Sequence, residues 1–236
     1  MGLRFNNWRK YLPKVFFLVF VVIVGLGFLK VFFWEKQYYQ SKTGSRRNIS
    51  STTEIDPAVE KEISEGEKES YTVAPNKPRY LTIPKLGIQR ARILEVGILK
   101  NGELGAPVSI FDAGWYRDSS KPGGGKTVLL DGHNGGPTKD GIFKKLHTLK
   151  SGDLIAIERG DGTIFNYQVF DNRSLSIRDA DDFMLEAQTS PQANTEALTI
   201  ITCTGEWSEA RQTYLSRQFL RALLVSQSTS DSATKI

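Results

Sequence analysis

Between residues 79 and 226 the apolar side chains come in short bursts, and that punctuation limits the fold more than any other feature of the chain. RYLTIP, ARILEVGI, AGWYR, KTVLLDGH, DLIAIER, TIFNYQVF, ALTIITC and QFLRALLV are each rich in β-branched or aromatic residues and are parted by Gly, Pro, Asn or Asp. Such side chains suit a pleated, half-buried surface, whereas Gly, Pro, Asn and Asp favour turns. Each run therefore reads as a strand, and Gly160-Asp161-Gly162 reads as a hairpin turn. Two segments break the pattern. GIFKKLHTL (141–149) sets Ile142, Phe143 and Leu146 on one helical face, and DADDFMLEA (179–187) opens with the acidic residues that a helix N-terminus favours. Many short strands with one or two short helices predict a mainly β domain, either a closed barrel of about eight strands or a sandwich.

The flanks are of another kind. Residues 12–34 hold an apolar run, VFFLVFVVIVGLGFLKVFFW (15–34), broken only by Lys30 near its end. At ~1.5 Å rise per residue, about 20 residues cross a ~30 Å hydrocarbon core, so the run predicts a single transmembrane helix. Trp8, Tyr11 and Trp34 stand where interfacial anchors belong, and Lys30 is close enough to one end to snorkel. A cleaved signal peptide is disfavoured by the length of the run and by the lack of a small-x-small site after it. Arg4, Arg9, Lys10 and Lys14 precede the run, and Lys36, Lys42, Arg46 and Arg47 follow it, so charge alone barely fixes the orientation. The expected organisation is a cytoplasmic N-terminus (1–11), an anchor (12–34), a flexible extracellular stalk (35–78), the folded domain (79–226) and a disordered tail (227–236). The stalk assignment rests on polarity, because a segment poor in large apolar residues cannot offset its ordering entropy by burial.

Composition removes several functions. The net charge of +5 is not gathered into a basic patch in the folded part, which argues against nucleic acid as a partner. One cysteine excludes an intramolecular disulfide and any multi-cysteine metal site, and no cofactor is expected. Asp179, Asp181 and Asp182 cluster, but at a helix start rather than in a calcium loop.

A lone cysteine is most often inert packing, so its position must decide. Cys203 ends the apolar run Leu198-Thr-Ile-Ile-Thr-Cys203, with Thr204-Gly-Glu-Trp-Ser following as an expected loop. A nucleophile belongs where the chain leaves the sheet and becomes accessible. A second apolar run ends in Asp131-Gly132-His133, and Tyr214-Leu-Ser-Arg217 leads into the last strand.

These segments, in this order, resemble the sortases. The family's Thr-Leu-x-Thr-Cys motif is matched by Thr199-Ile-Ile-Thr-Cys203, with Ile200 in place of Leu. Its strand-end Gly-His is matched by Gly132-His133, and its arginine by Arg217, five residues before Ala222. Gly114-Trp-Tyr116, Pro122-Gly123 and Phe143-x-x-Leu146 with Gly152-Asp153 add to the likeness, which covers about residues 79–225. Asp131 departs from it, standing where relatives commonly carry a small residue and altering the field on His133. Asp56-Pro57-Ala58 lacks the aromatic residue of the lid that pilin-polymerising members often carry, which disfavours that subclass.

The resemblance implies a closed sortase-like barrel and a membrane-anchored cysteine transpeptidase on the outer face of a Gram-positive-type envelope. Cys203 would form a thioester with an LPxTG-like sorting signal of a surface protein. An amine acceptor, a cell-wall peptide or a pilin lysine, would then take the acyl group. Acyl transfer needs a nucleophile, a donor to the developing oxyanion and an acid for the leaving amine, roles that fall to Cys203, Arg217 and His133. With reference pKa values near ~8.5 for Cys and ~6.5 for His, the pair is not mostly ionised at neutral pH. Thr202, Trp207 and Glu206 are candidates for substrate contact. His147 reads as a surface histidine, and Arg211 and Arg221 are weaker than Arg217, Arg221 being expected to face outward. Two alternatives remain, a cysteine protease or amidase releasing to water and a non-catalytic surface-binding module. An L,D-transpeptidase does not fit, because its Ser-His-Gly-Cys run is absent.

Overall fold

The computed structural model describes residues 59–100 and 102–229. The apolar run at 12–34, the first part of the assigned stalk, Asp56-Pro57-Ala58 and residues 230–236 lie outside them. Among the described residues no helix is long and apolar enough to cross a membrane.

Eight strands form, one in each predicted run: β1 (Pro78–Ile83), β2 (Ile88–Val96), β3 (Ala113–Tyr116), β4 (Val128–Asp131), β5 (Leu154–Arg159), β6 (Thr163–Ser176), β7 (Ala197–Ser208) and β8 (Thr213–Thr229). They close into a barrel in the order β1-β2-β3-β4-β7-β8-β6-β5. Closure leaves no open sheet edge, which settles the barrel against the sandwich. The pairings β2/β3 and β4/β7 are parallel and the rest antiparallel.

The wall made by β4, β7 and β8 is buried on both sides. Val128, Leu130, Leu198, Ile200, Leu220 and Ala222 face the barrel interior. Leu129, Ile201 and Phe219, at the alternate positions, pack outside against Ala180, Phe183 and Ala187. Double burial is why VLL and LTII read as continuous apolar runs rather than alternating ones. The outer cover is the helix α2 (Ile177–Ala187), started by Ser176, whose hydroxyl accepts from Asp179 N–H. Arg221 does face out of the barrel, yet it is only 3% exposed because α2 lies over it. Its guanidinium donates to Glu186 Oε1 (2.9 Å) and to the carbonyls of Glu186 (3.1 Å) and Thr189 (2.7 Å), so it anchors the helix.

Two expectations change. Residues 141–149 are not an amphipathic helix but a run of turns ending in a 3₁₀ turn at Leu146–Thr148. Phe143 and Leu146 are buried in the core as their apolar character requires. The Asn172 amide donates to the carbonyls of Leu146 (3.0 Å) and Leu149 (2.8 Å), occupying acceptors that a continuing helix would use.

The second change concerns residues 59–77, which polarity assigns to the stalk. Val59 and the 108–110 segment exchange backbone bonds (Val59 N to Val108 O 2.8 Å, Ile110 N to Val59 O 3.1 Å). The Glu60 carboxylate accepts from Thr138 N–H (2.7 Å) and Lys139 N–H (2.9 Å). A single-turn helix, α1 (Glu65–Glu69), is started by the capping box of Ser64 and Glu67. Tyr71 then donates its hydroxyl to Ile93 O (2.5 Å) on β2, while its own carbonyl accepts from Arg79 Nε–H (2.8 Å). These attachments are polar and show no apolar period, so composition conceals them. At about 1 kcal/mol net per hydrogen bond, less the entropy of ordering the segment, it contributes roughly 2–3 kcal/mol. A chain starting at residue 79 should therefore melt about 5–10 °C below one starting at residue 59. Coincident melting curves would show that the segment adds nothing.

Candidate active site

The site grows out of strand register. β4 and β7 run parallel, Asp131 beside Ile201, so the chain leaves β4 through Gly132-His133 just where β7 carries Thr202 and Cys203. Across the antiparallel β7/β8 pair, Cys203 is the direct partner of Arg217. Side chains alternate along a strand, and Thr199 and Ile201 point outward to α2, so Cys203 does as well. Phe219 is outward on β8, which places Arg217 on that same outer face. Cys203, Arg217 and His133 are each half-buried.

The turn that holds His133 is fixed from below. Thr202 faces inward, is 2% exposed, and donates its hydroxyl to Gly132 O (2.8 Å). A Cβ on residue 132 would lie 2.6 Å from the Phe143 ring, so only glycine fits there. That close approach links two motifs, Gly132-His133 and Phe143-x-x-Leu146. The His133 carbonyl accepts from Phe143 N–H (3.0 Å). Its ring Nε2–H donates to Pro107 O (2.7 Å). A carbonyl can only accept, so Nε2 carries a proton and a neutral ring has Nδ1 as its acceptor nitrogen.

The Arg217 guanidinium folds onto its own strand. Nη1 donates to Tyr214 O (2.9 Å) and Ser216 O (3.0 Å), and Nη2 donates to Thr213 Oγ1 (3.2 Å). Among the described residues these bonds use three of the five N–H donors of an arginine and hold its plane.

Charge is finely divided here. Burial, more than anything else, pushes the Cys203 thiol up; Arg217 pulls it down, and Asp131 and Glu103 push it further up. Asp131 keeps some accessible surface, yet the protein packed around its carboxyl pushes it up to about 7, against the Gly132 N–H and Arg217, which both pull down.

The remaining predicted residues separate. Thr202 spends its buried hydroxyl on the histidine turn rather than presenting it to a groove. No loop follows Cys203, because β7 continues to Ser208 and pairs with β8. Trp207 lies on that extension, 43% exposed, with its ring edge-on to Tyr214 at 5.3 Å between centroids. It therefore adjoins Arg217 through Tyr214, whereas Glu206 is exposed beside it. His147 is exposed on the 3₁₀ turn, and Arg211 is exposed at the hairpin tip. Asp179 exchanges hydrogen bonds with Ser176 at the start of α2, and Asp181 and Asp182 are exposed. Among the described residues no group of three or more His, Cys, Asp or Glu is gathered as a metal site.

The contribution of residues 97–112, which connect β2 and β3, is not visible in sequence. Pro107 acts through a backbone carbonyl, which carries no residue signature, and Glu103 reaches Cys203 only through the fold. Gly114, opposite Asp131 on β3, admits Pro107 because a Cβ there would meet the proline ring at 3.0 Å.

The family profile of the sortase domain matches residues 81–225, so the chain belongs to the sortase family and is a cysteine transpeptidase. Among solved structures, the SrtA sortase from Actinomyces oris is similar at 17% identity, over 69% of this chain and 87% of that one, with a TM-score of 0.50. Sortase C of Streptococcus pneumoniae is similar at 20% identity, over 75% of this chain and 78% of that one, with a TM-score of 0.47. A sortase D5 transpeptidase of Clostridium perfringens is 21% identical over 70% of this chain and 90% of that one, with a TM-score of 0.45. No curated protein matches the chain in sequence.

Proposed function

We propose that this sortase is anchored in the cell membrane by residues 12–34 and cleaves an LPxTG-like sorting signal on the outer side. The observation that supports its chemistry best is the direct cross-strand pairing of Cys203 and Arg217, beside the strand end that bears His133. The Cys203 thiolate attacks the carbonyl carbon of the signal's threonine. Arg217 donates to the oxyanion that develops, with N–H groups its own strand leaves unused. His133 protonates the departing amine, the C–N bond breaks, and a thioester remains on Cys203. An incoming amine then attacks that carbonyl and passes its proton to His133, and the thiolate leaves with the new amide formed.

The raised thiol fits an enzyme in which only a minor fraction of Cys203 is ionised at neutral pH. Transfer rather than hydrolysis is the expected outcome, with a cell-wall peptide or a pilin lysine as the amine acceptor. The decisive assay mixes the enzyme with a Leu-Pro-x-Thr-Gly peptide, with and without an amine such as triglycine. An amide product whose yield rises with amine concentration is expected. Hydrolysed peptide alone, at saturating amine, would overturn the transferase reading in favour of a protease.

A further inference from the structure

The outer face that carries Cys203 and Arg217 bears one more chemically active side chain. Asp131 ends β4, two residues after Leu129 of the outer cluster, and so shares that face. Its neighbour on β7 is Ile201, two residues before Cys203, and its neighbour on β3 is Gly114, which has no side chain to screen it. The field of Arg217 acts on Asp131, and that of Asp131 acts on Cys203. Among the described residues Asp131 takes part in no ion pair, so its charge is not neutralised by a cation of its own.

We propose that Asp131 is a positioning residue that controls the site through its own ionisation: protonated, it leaves the guanidinium and the thiolate to each other, and ionised, it opposes the thiolate and competes for Arg217. The proposal rests on Cys203 as the nucleophile. Asp131 does not touch the reacting atoms in this account. It acts by the sign of its charge on the two residues that do.

The charged and titratable groups around it come from every neighbouring strand. His133 follows it on its own chain, Cys203 faces it from β7, Arg217 from β8, and Tyr116 lies further along β3 on the same side. Glu103, from residues 97–112, adds negative charge near Cys203. Burial that holds the Asp131 carboxyl up to about 7 puts its change of charge in the physiological range, instead of far below it. A small neutral residue at this position would remove the opposition from β4 at all pH values. The aspartate instead damps the gain of thiolate as pH rises past neutrality, holding the site below the reactivity it would have with a neutral residue there.

Because the chain has a single cysteine, alkylation reports Cys203 alone. The full chain in detergent micelles is treated with iodoacetamide between about pH 5 and 10, and the rate is followed by intact mass. Asp131→Asn keeps the shape and removes the charge. Relief of a like-charge interaction across a partly buried face is expected to move the midpoint of the alkylation profile down by about 0.5–1 pH unit. At pH 7.5, where part of the wild-type carboxyl is still protonated, that is about a two- to threefold faster reaction. Asp131→Glu, which keeps the charge, should stay closer to the wild-type profile. Superimposable wild-type and Asp131→Asn profiles would overturn the proposal, and if the amide variant fails to fold, Asp131→Ala carries the same expectation and the same refutation. No sorting peptide takes part, so failure here and failure of the transpeptidase assay are distinguishable.

Discussion

Cys203→Ala should abolish acyl transfer, with a loss of at least ~10³-fold, because it removes the thiol that forms the covalent intermediate. The barrel should survive. Cys203 is half-buried on the outer face rather than in the core, so losing its sulfur costs about 1 kcal/mol or less. The result is read as product formed per enzyme with the sorting peptide and amine, alongside a thermal melt. Turnover within tenfold of wild type, from a folded variant, would remove Cys203 from the reaction.

Arg217→Lys should be the next most severe change, lowering kcat by about 10²–10³-fold, the cost of losing an oxyanion donor. Arg217 holds its plane by bonds to Tyr214 O, Ser216 O and Thr213 Oγ1. An ammonium keeps the charge but cannot hold those three acceptors and still present further N–H groups in a fixed fork. The loss should fall on kcat more than on KM, because the oxyanion exists only along the reaction. Steady-state kinetics separate the two. A lysine variant with nearly wild-type kcat would mean that positive charge suffices and that the fork has no part.

The sequence made the strands legible because each has its own burst of β-branched residues between turn formers, and residues 179–187 legible as a helix because they open with acidic residues. It hid the layering. Thr199 and Arg221 look like ordinary polar strand positions until α2 is placed over them, bonded to Ala187 O and to Glu186 and Thr189. It also hid residues 59–77, whose hold on the barrel runs through Glu60, Tyr71 and main-chain groups instead of an apolar stripe. For the site, Cys203, Gly132-His133 and Arg217 stand in sequence as strand-end motifs, and register brings them to one end of one barrel face. Trp207 and Glu206 read in sequence as loop, yet the strand runs through them with an irregularity between Thr204 and Trp207. Pro107 had no sequence signal at all, since what it offers His133 is a carbonyl that any residue could supply.

The central claim is that Cys203 carries the acyl group. Enzyme mixed with a Leu-Pro-x-Thr-Gly peptide and no amine, then quenched in acid, should gain the mass of the peptide up to and including its threonine. Peptide mapping should place that mass on Cys203, and hydroxylamine should remove it, as it cleaves a thioester. An adduct on any other residue, or substrate turnover with no adduct on the wild-type enzyme at any quench time, would contradict it.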